Sequence, residues 1–425
     1  MKRFKGLEFR KISLNTFIQF AVRLVGSFGT LIATLLIAYT LGYESVGSFT
    51  KVTAFIGSFY LLVDFGLNSV FLKLYFKNIE KQMGNLVLLR LIISSLLIPL
   101  ALLISSNLPE NQILGTGFSQ IEKYAIVVYS LTLVVFSFYN SLQVYLQDKL
   151  AYRLTLIPSF CSVVILIGII YYAVQNNNFY LLFAAYIFSG TTYGALVFMF
   201  IKKKFGLSLS LFRFGFFVKN LLTSAWPLGV VLFFNFMYAR TDVLILSFYR
   251  QNVDVGIYGI AYRFFDVAIA IPTYLANSTY PILLKDMEDR KKYFVSFRKY
   301  LFLYGVIALI VMPIAILFSP LIQLFKGEFI SSVIPLQILS LSLPFFFLTS
   351  LLQWHFIISG KIKFLVPLYG GALILNIALN LLFIPQYSYF AAAAITGICE
   401  ASVFAIMLLY FFKTIHKKGQ SSIRK

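Results

Sequence analysis

Apolar residues run through this chain in stretches of about 20, parted by short polar breaks, which is the length a helix needs to cross a bilayer. Twelve stretches are legible, near 14–40, 47–72, 84–106, 123–146, 152–174, 179–201, 221–248, 255–281, 297–318, 333–358, 362–384 and 388–412. Runs such as LIISSLLIPLALLI lack the apolar/polar alternation of a spanning β-strand. Backbone groups in lipid must be satisfied within their own segment, so each run predicts a helix. The expected fold is all-α and polytopic, with twelve transmembrane helices. The first run is too long for a signal-peptide core and reads as a retained helix.

The pattern also repeats. Val46-Gly47 recurs as Val255-Gly256, 209 residues later, and the neighbouring Ser48-Phe49 aligns with Ile257-Tyr258. At the same offset Asn68-Ser69 matches Asn277-Ser278, Arg90 matches Lys299, and Pro158 matches Pro367. Several matches at one offset in a chain about twice that long argue for tandem duplication. Residues 1–203 are then an N-terminal six-helix bundle, 204–219 a cytoplasmic linker, and 220–425 a C-terminal six-helix bundle with a basic cytoplasmic tail. Halves of six helices share one orientation, and a substrate path is expected at their interface. Gly26 and Gly29 in span 1, and Pro227 with Gly229 in span 7, either let those helices bend or let them pack closely.

Composition agrees: 60% of residues are hydrophobic and 12% charged. The net charge of +21 suggests nucleic acid until its distribution is read. With the N-terminus inside, 28 of the 36 Lys and Arg fall in the inner segments and three (Lys123, Arg250, Lys326) in the outer loops. That asymmetry makes both termini cytoplasmic and excludes a nucleic-acid partner. Cys161 and Cys399 lie inside apolar runs and imply neither a disulfide framework nor a metal site. His355 and His416 have no metal-ligand companion. The sequence holds no phosphate-binding glycine loop, zinc-ligand spacing or catalytic triad, so no enzyme and no cofactor are expected.

The remaining charges lie where lipid-buried helix is expected, and such charge is costly unless it faces a bundle interior or a watery cavity. The densest stretch is RTDVLILSFYRQNVDVGIYGIAYRFFD, from Arg240 to Asp266. The basic members are Arg23, Lys51, Arg90, Arg240 and Arg263; the acidic ones are Asp64, Asp242, Asp266 and Glu400. Together the cations read as a ladder across the bilayer, with snorkelling to the interface as the alternative for Lys51 and Arg90. Arg263 and Asp266, three apart, share a helix face and can pair. Arg240 and Asp242, two apart, cannot, so at least one needs a partner elsewhere. Asp64 and Glu400 sit deep with no local cation. They are candidates, with Asp242 and Asp266, for coupling to H+ or Na+; the alternative is a hydrogen-bonded neutral carboxyl or a pair with an Arg on another helix.

Leu41-Gly42, a polar break, Val46-Gly47-Ser48-Phe49 and Asp64-Phe65-Gly66-Leu67 form one pattern. It recurs as Arg240-x-Asp242, a break, and Val255-Gly256-Ile257-Tyr258-x-x-Ala261-Tyr262-Arg263. This resembles the polysaccharide-exporting, Wzx-type oligosaccharide flippases of the multidrug/oligosaccharidyl-lipid/polysaccharide flippase superfamily. The resemblance implies a MATE-like fold, a V-shaped pair of six-helix bundles around a central cavity. It also implies a bacterial cytoplasmic (inner) membrane protein that moves undecaprenyl-pyrophosphate-linked repeat units of O-antigen, capsule or exopolysaccharide by alternating access. Its partners would be that lipid-linked glycan, membrane lipid and other polysaccharide-assembly proteins. The chemistry fits in kind, because a planar guanidinium can donate two hydrogen bonds to a diphosphate at once. Arg23, Arg240 and Arg263, with Lys51 and Arg90, are expected to attract the diphosphate, and Asn235, Tyr238 and Tyr262 to meet the sugars. A multidrug/cation antiporter of the same superfamily and a peptidoglycan-precursor flippase are the alternatives. The first would prefer an acidic cavity, and the second usually carries two further helices. A membrane polymerase would need a large external loop, and the outer loops here are short.

Overall fold

The computed structural model of the chain describes residues 2–75, 78–238, 240–287 and 289–422. The side chains of 2–17, 227, 236, 273–274, 277–278, 281, 290 and 414–422 lie outside that description, and with them the basic N-terminal stretch, Pro227, Asn277-Ser278 and His416.

Nearly everything else is helix. The order is α1 (Lys2–Asp64), α2 (Leu67–Tyr75), α3 (Ile79–Ser106), a hairpin of β1 (Glu110–Asn111) and β2 (Thr116–Gly117), α4 (Gln120–Ser130), α5 (Thr132–Asp148), α6 (Leu156–Gln175) and α7 (Phe179–Phe205). Then come α8 (Phe214–Tyr238), α9 (Thr241–Tyr249), α10 (Asn252–Asp286), α11 (Arg290–Phe318), α12 (Val333–Ser340), α13 (Leu343–Ile358) and α14 (Ile362–Ser422). Among the described residues, eight helices are long and apolar enough to cross a membrane, or ten if two bent pairs each count as one span. Two of those runs, of 58 and 52 residues, are more than twice the length one crossing needs. Each contains a backbone break, at Gly42 (φ 78°) in α1 and at Ser388 (φ 52°) in α14. Counting each as two spans gives the twelve read from the sequence.

Local signals explain where helices start and stop. Ser119 and Glu122 form a reciprocal capping box at the start of α4. Asn178 caps α7, and Gly206 ends it in the left-handed conformation after a basic last turn. Large apolar side chains such as Leu96, Leu103, Phe160, Leu309 and Leu317 are exposed on the helices, as lipid-facing surfaces require.

Packing divides the chain into two compact units, Met1–Gly259 and Ile260–Lys425. This boundary differs from the repeat boundary at 204–219, because α8, α9 and the start of α10 pack on α1, α2 and α3. In the first unit, Leu67, Phe71, Met83, Leu142, Tyr145 and Phe217 form one buried core. In the second, His355 is buried beside Tyr293, Phe297 and Phe411, and its Nδ1 lies 2.5 Å from the Tyr293 hydroxyl.

Candidate functional site

The start of span 2 and the start of span 8 meet in the first unit. A Cβ on Gly47 would stand 1.8 Å from the Asn252 carbonyl oxygen, and one on Gly256 would stand 2.1 Å from that of Tyr43. No side chain fits at either position, so the two glycines set how closely the backbones approach. Asn252 Nδ2 also donates to Ser48 Oγ at 2.8 Å. The contact is reciprocal under the sequence repeat: Gly47 and Gly256 are 209 apart, and so are their acceptors Tyr43 and Asn252.

Deeper in the same unit α1 ends at Asp64, and Phe65 (φ 39°) and Gly66 (φ 71°) turn the chain into α2. The broken backbone brings Asp64 to Arg90 of α3, whose Nη2 donates to Asp64 Oδ1 at 2.9 Å. Asn140 of α5 donates to the same oxygen at 2.8 Å and accepts from Asn68 at 3.2 Å. Ser141 Oγ lies 3.3 Å from Arg90 Nη1. Arg90 is fully buried and Asp64 partly so. Arg90 therefore neither reaches a cavity nor snorkels, which corrects its expected place among the diphosphate contacts. Its guanidinium is held by the carboxylate that lacked a cation in sequence. Asn68 was singled out only as a repeat match, and Asn140 and Ser141 not at all, although an amide inside an apolar run is itself a sign of a buried polar network.

Lys51 needs the same correction. It is 1% exposed, and its Nζ donates to the Gly117 carbonyl at 2.6 Å and lies 3.6 Å from Glu122 Oε1. Burial in an ion pair replaces the snorkelling or cavity role expected of it.

Asn235, Tyr238, Arg240 and Asp242 lie at the junction of α8 and α9, where Arg240 is the residue before the first turn of α9. Arg240 and Asn235 are half-buried. Tyr238 is buried at 5% exposure, and in the second unit Tyr262 is buried at 7%, edge-on to Phe265, so neither phenol is the open sugar contact expected. Asp242 is buried too. Tyr258 donates to its Oδ2, and its Oδ1 accepts from the Val243 N–H at 2.7 Å, in the first turn of α9 where negative charge is stabilised. Asp242 thus has the remote partner that two-residue spacing from Arg240 demanded.

Three cations or acids remain without such ties. Arg23 is exposed on α1. Arg263 and Asp266 are half-buried on α10. Neither is part of any ion pair or hydrogen bond among the described residues, so the pairing expected from their three-residue spacing does not form. Glu400 is buried in α14 and accepts from the Thr349 hydroxyl of α13, the hydrogen-bonded alternative foreseen for it. No group of three or more metal-ligating side chains occurs among the described residues.

A family described as "Polysaccharide biosynthesis protein" matches residues 10–287, well over half of the chain. The chain belongs to that family. No curated protein matches it. Among solved structures it resembles "Lipid II flippase MurJ, inward closed conformation", with a TM-score of 0.75 and 19% identity over 94% of this chain and 87% of that one. An inward-facing MATE multidrug resistance transporter matches with a TM-score of 0.74 and 15% identity, over 93% and 96% of the two chains. The MATE transporter DinF-BH, solved with R6G, matches at 0.68 and 14%, over 95% of each. At such identities the likeness is one of fold. The all-α, multi-pass, MATE-like architecture read from the sequence is the one these proteins share.

Proposed function

We propose that the protein is a flippase for an undecaprenyl-diphosphate-linked oligosaccharide, acting in the bacterial cytoplasmic membrane with both termini cytoplasmic. The observation that carries this reading is the conjunction of a polysaccharide-biosynthesis family with a transporter fold. A sugar diphosphate cannot cross hydrocarbon unaided, and a membrane protein of that pathway class with no catalytic constellation is best employed in carrying it. Arg23, Arg240 and Arg263 are our candidates for the anion contacts, a choice supported by the ion pairs of Lys51 with Glu122 and of Arg90 with Asp64. Arg23 and Arg263 are the two whose charge is unopposed by any ion pair among the described residues. Partial neutralisation by Asp266, one turn from Arg263, would let the anion leave again. Proton or sodium coupling through Asp64, Asp242, Asp266 or Glu400 belongs to the proposal, with Asp266 favoured because it is the one without a hydrogen-bond partner among the described residues.

The test is transport in proteoliposomes of a fluorescent undecaprenyl-diphosphate monosaccharide, read as loss of outside accessibility to a membrane-impermeant quencher. Protein-dependent movement is expected, with Arg23→Ala and Arg263→Ala each abolishing it. Movement of the probe at the protein-free rate would refute the reading. The MurJ likeness favours a second reading, a peptidoglycan-precursor flippase, and competition by excess lipid-linked muropeptide would select it.

A further inference from the structure

The loop between spans 3 and 4 reads in sequence as a plain connection, yet it is folded and docked. Glu110–Asn111 pairs with Thr116–Gly117, and the Phe118 N–H closes the hairpin on the Pro109 carbonyl at 2.9 Å. Gly117 has φ +81°, and a Cβ there would fall 2.1 Å from the Pro109 oxygen, so the hairpin's neck is fixed in shape. Phe118, fully buried, sits between Phe55 of α1 and Phe248 of α9, at centroid distances of 6.0 and 5.8 Å.

The attachments are unequal. Toward the first-half helices the hairpin is tied by the buried Lys51 ammonium, which donates to the Gly117 carbonyl and lies 5.7 Å over the Phe118 ring. Glu122 backs that ammonium and also caps the helix that follows the hairpin. A charge-assisted bond in a dry site is strong. Toward the second-half helices, among the described residues, Gln251 Nε2 donates a long, exposed bond to the Leu114 carbonyl at 3.3 Å, and the Phe248 ring packs tilted against Phe118. Between the hairpin and Phe248 lies a cavity of about 670 Å³, lined by Pro109, Asn111, Ile113, Gly117 and Phe248. The tip therefore spans the seam where Gly47 meets Asn252, firmly held on one side and loosely on the other.

We propose that the hairpin 109–118 is a latch on the outer seam: Lys51 fixes it to the first-half helices, and its tip closes on Gln251 and Phe248 and lets go when the seam opens. This rests on the reading of the chain as a carrier that releases its cargo outward. The latch divides the work between two surfaces, because a tip bound as firmly as the neck would hold the seam shut.

The test uses full-length protein with Cys161→Ser and Cys399→Ser, plus Gly115→Cys with Gln251→Cys. A Cβ on Gly115 lies 3.9 Å from Gln251 Cγ, within reach of a bridge. Leu114→Cys with Gln251→Cys is the second pair, in which no left-handed glycine is replaced. In proteoliposomes of phosphatidylethanolamine and phosphatidylglycerol, amide exchange is measured across 43–52 and 251–258 before and after oxidation, beside movement of the fluorescent undecaprenyl-diphosphate sugar. Oxidation is expected to slow exchange of both seam segments by roughly tenfold or more while leaving 159–175 unchanged, with reversal by reductant. Seam exchange that is indifferent to a formed bridge in both pairs overturns the latch. Slowed exchange with undiminished movement of the probe leaves the flippase reading standing and overturns the latch as a control on outward release, whereas movement at the protein-free rate before oxidation refutes the flippase reading alone. Lys51→Met should speed exchange of 109–118 in the otherwise unmodified protein; unchanged exchange there overturns the role given to Lys51.

Discussion

Removing Asp64 should destabilise the protein more than removing any exposed charge, and the cause is Arg90. That side chain is fully buried, and among the described residues its Nε has no hydrogen-bond partner and Asp64 is its one acidic neighbour within ion-pair distance. Asp64→Ala leaves a buried guanidinium with Ser141 alone, at 3.3 Å. Breaking a buried ion pair from one side costs about 3–5 kcal/mol, because the survivor keeps its desolvation penalty. Asp64→Asn keeps an oxygen for Arg90 and Asn140 and should cost roughly half as much, since a neutral bond replaces a charge-assisted one. Asp64→Leu with Arg90→Met removes both charges and should return to within about 1 kcal/mol of the parent. With about 2–4 °C per kcal/mol for a domain of this order, the single loss corresponds to roughly 6–20 °C in apparent Tm. Thermal fluorescence size-exclusion in one detergent reads the series. An Asp64→Ala protein that melts with the parent, or a double variant as weak as the single, would refute the account of Arg90.

Other outcomes follow from the same geometry. Gly47→Ala or Gly256→Ala puts a methyl within about 2 Å of a backbone oxygen and must part the seam; an impermeant thiol reagent should then label Ser48→Cys from outside more readily than in the glycine parent. Arg23→Lys and Arg263→Lys should restore only part of the probe movement lost in the alanine variants, since an ammonium keeps the charge and loses the planar fork. A single cysteine in 206–212, in the Cys161→Ser, Cys399→Ser protein, should be labelled only from the cytoplasmic side; labelling from outside would overturn the proposed orientation.

The spans were legible because their signal is cumulative: some 20 apolar residues in a row leave little choice of structure. The breaks between spans 1 and 2 and between spans 11 and 12 were legible too, since Gly42 and the Pro385-Gln386-Tyr387-Ser388 turn fall where the apolar runs part, although helix continues on both sides. The turn within span 2, at Phe65 and Gly66, was not read as one. Charges were visible as charges, while their partners were not. Asp64 finds Arg90 across 26 residues, Asp242 finds Tyr258 across 16, and Lys51 reaches Gly117 across 66. Such distances are set by how helices pack, and no helical period predicts them. Depth along a span favoured a cavity for Arg23, Arg240 and Arg263 and, slightly, the interface for Lys51 and Arg90. Among the described residues Arg23 and Arg263 take part in no ion pair, whereas Lys51 and Arg90 do. What separates the two sets is an acid on a neighbouring helix.

The repeat carries more information than its short matches suggest. Of the four aligned positions Val46-Gly47-Ser48-Phe49 and Val255-Gly256-Ile257-Tyr258, the first two are identical and the last two have drifted. The seam explains which could drift. When two like segments meet about a two-fold, residue i of one touches residue j of the other, and j of the first touches i of the second. Here 43 touches 256 and 47 touches 252, which is that exchange. Each glycine lies against backbone of the other segment, so a side chain on either would spread both contacts, and neither can change without the other failing. Ser48 accepts from Asn252, and Ile257 is buried. Phe49 packs on Phe183 whereas Tyr258 binds Asp242, so that pair has been turned to different uses within one shape. A junction built this way closes by the same move on both sides, and a single methyl on either glycine is enough to hold it apart.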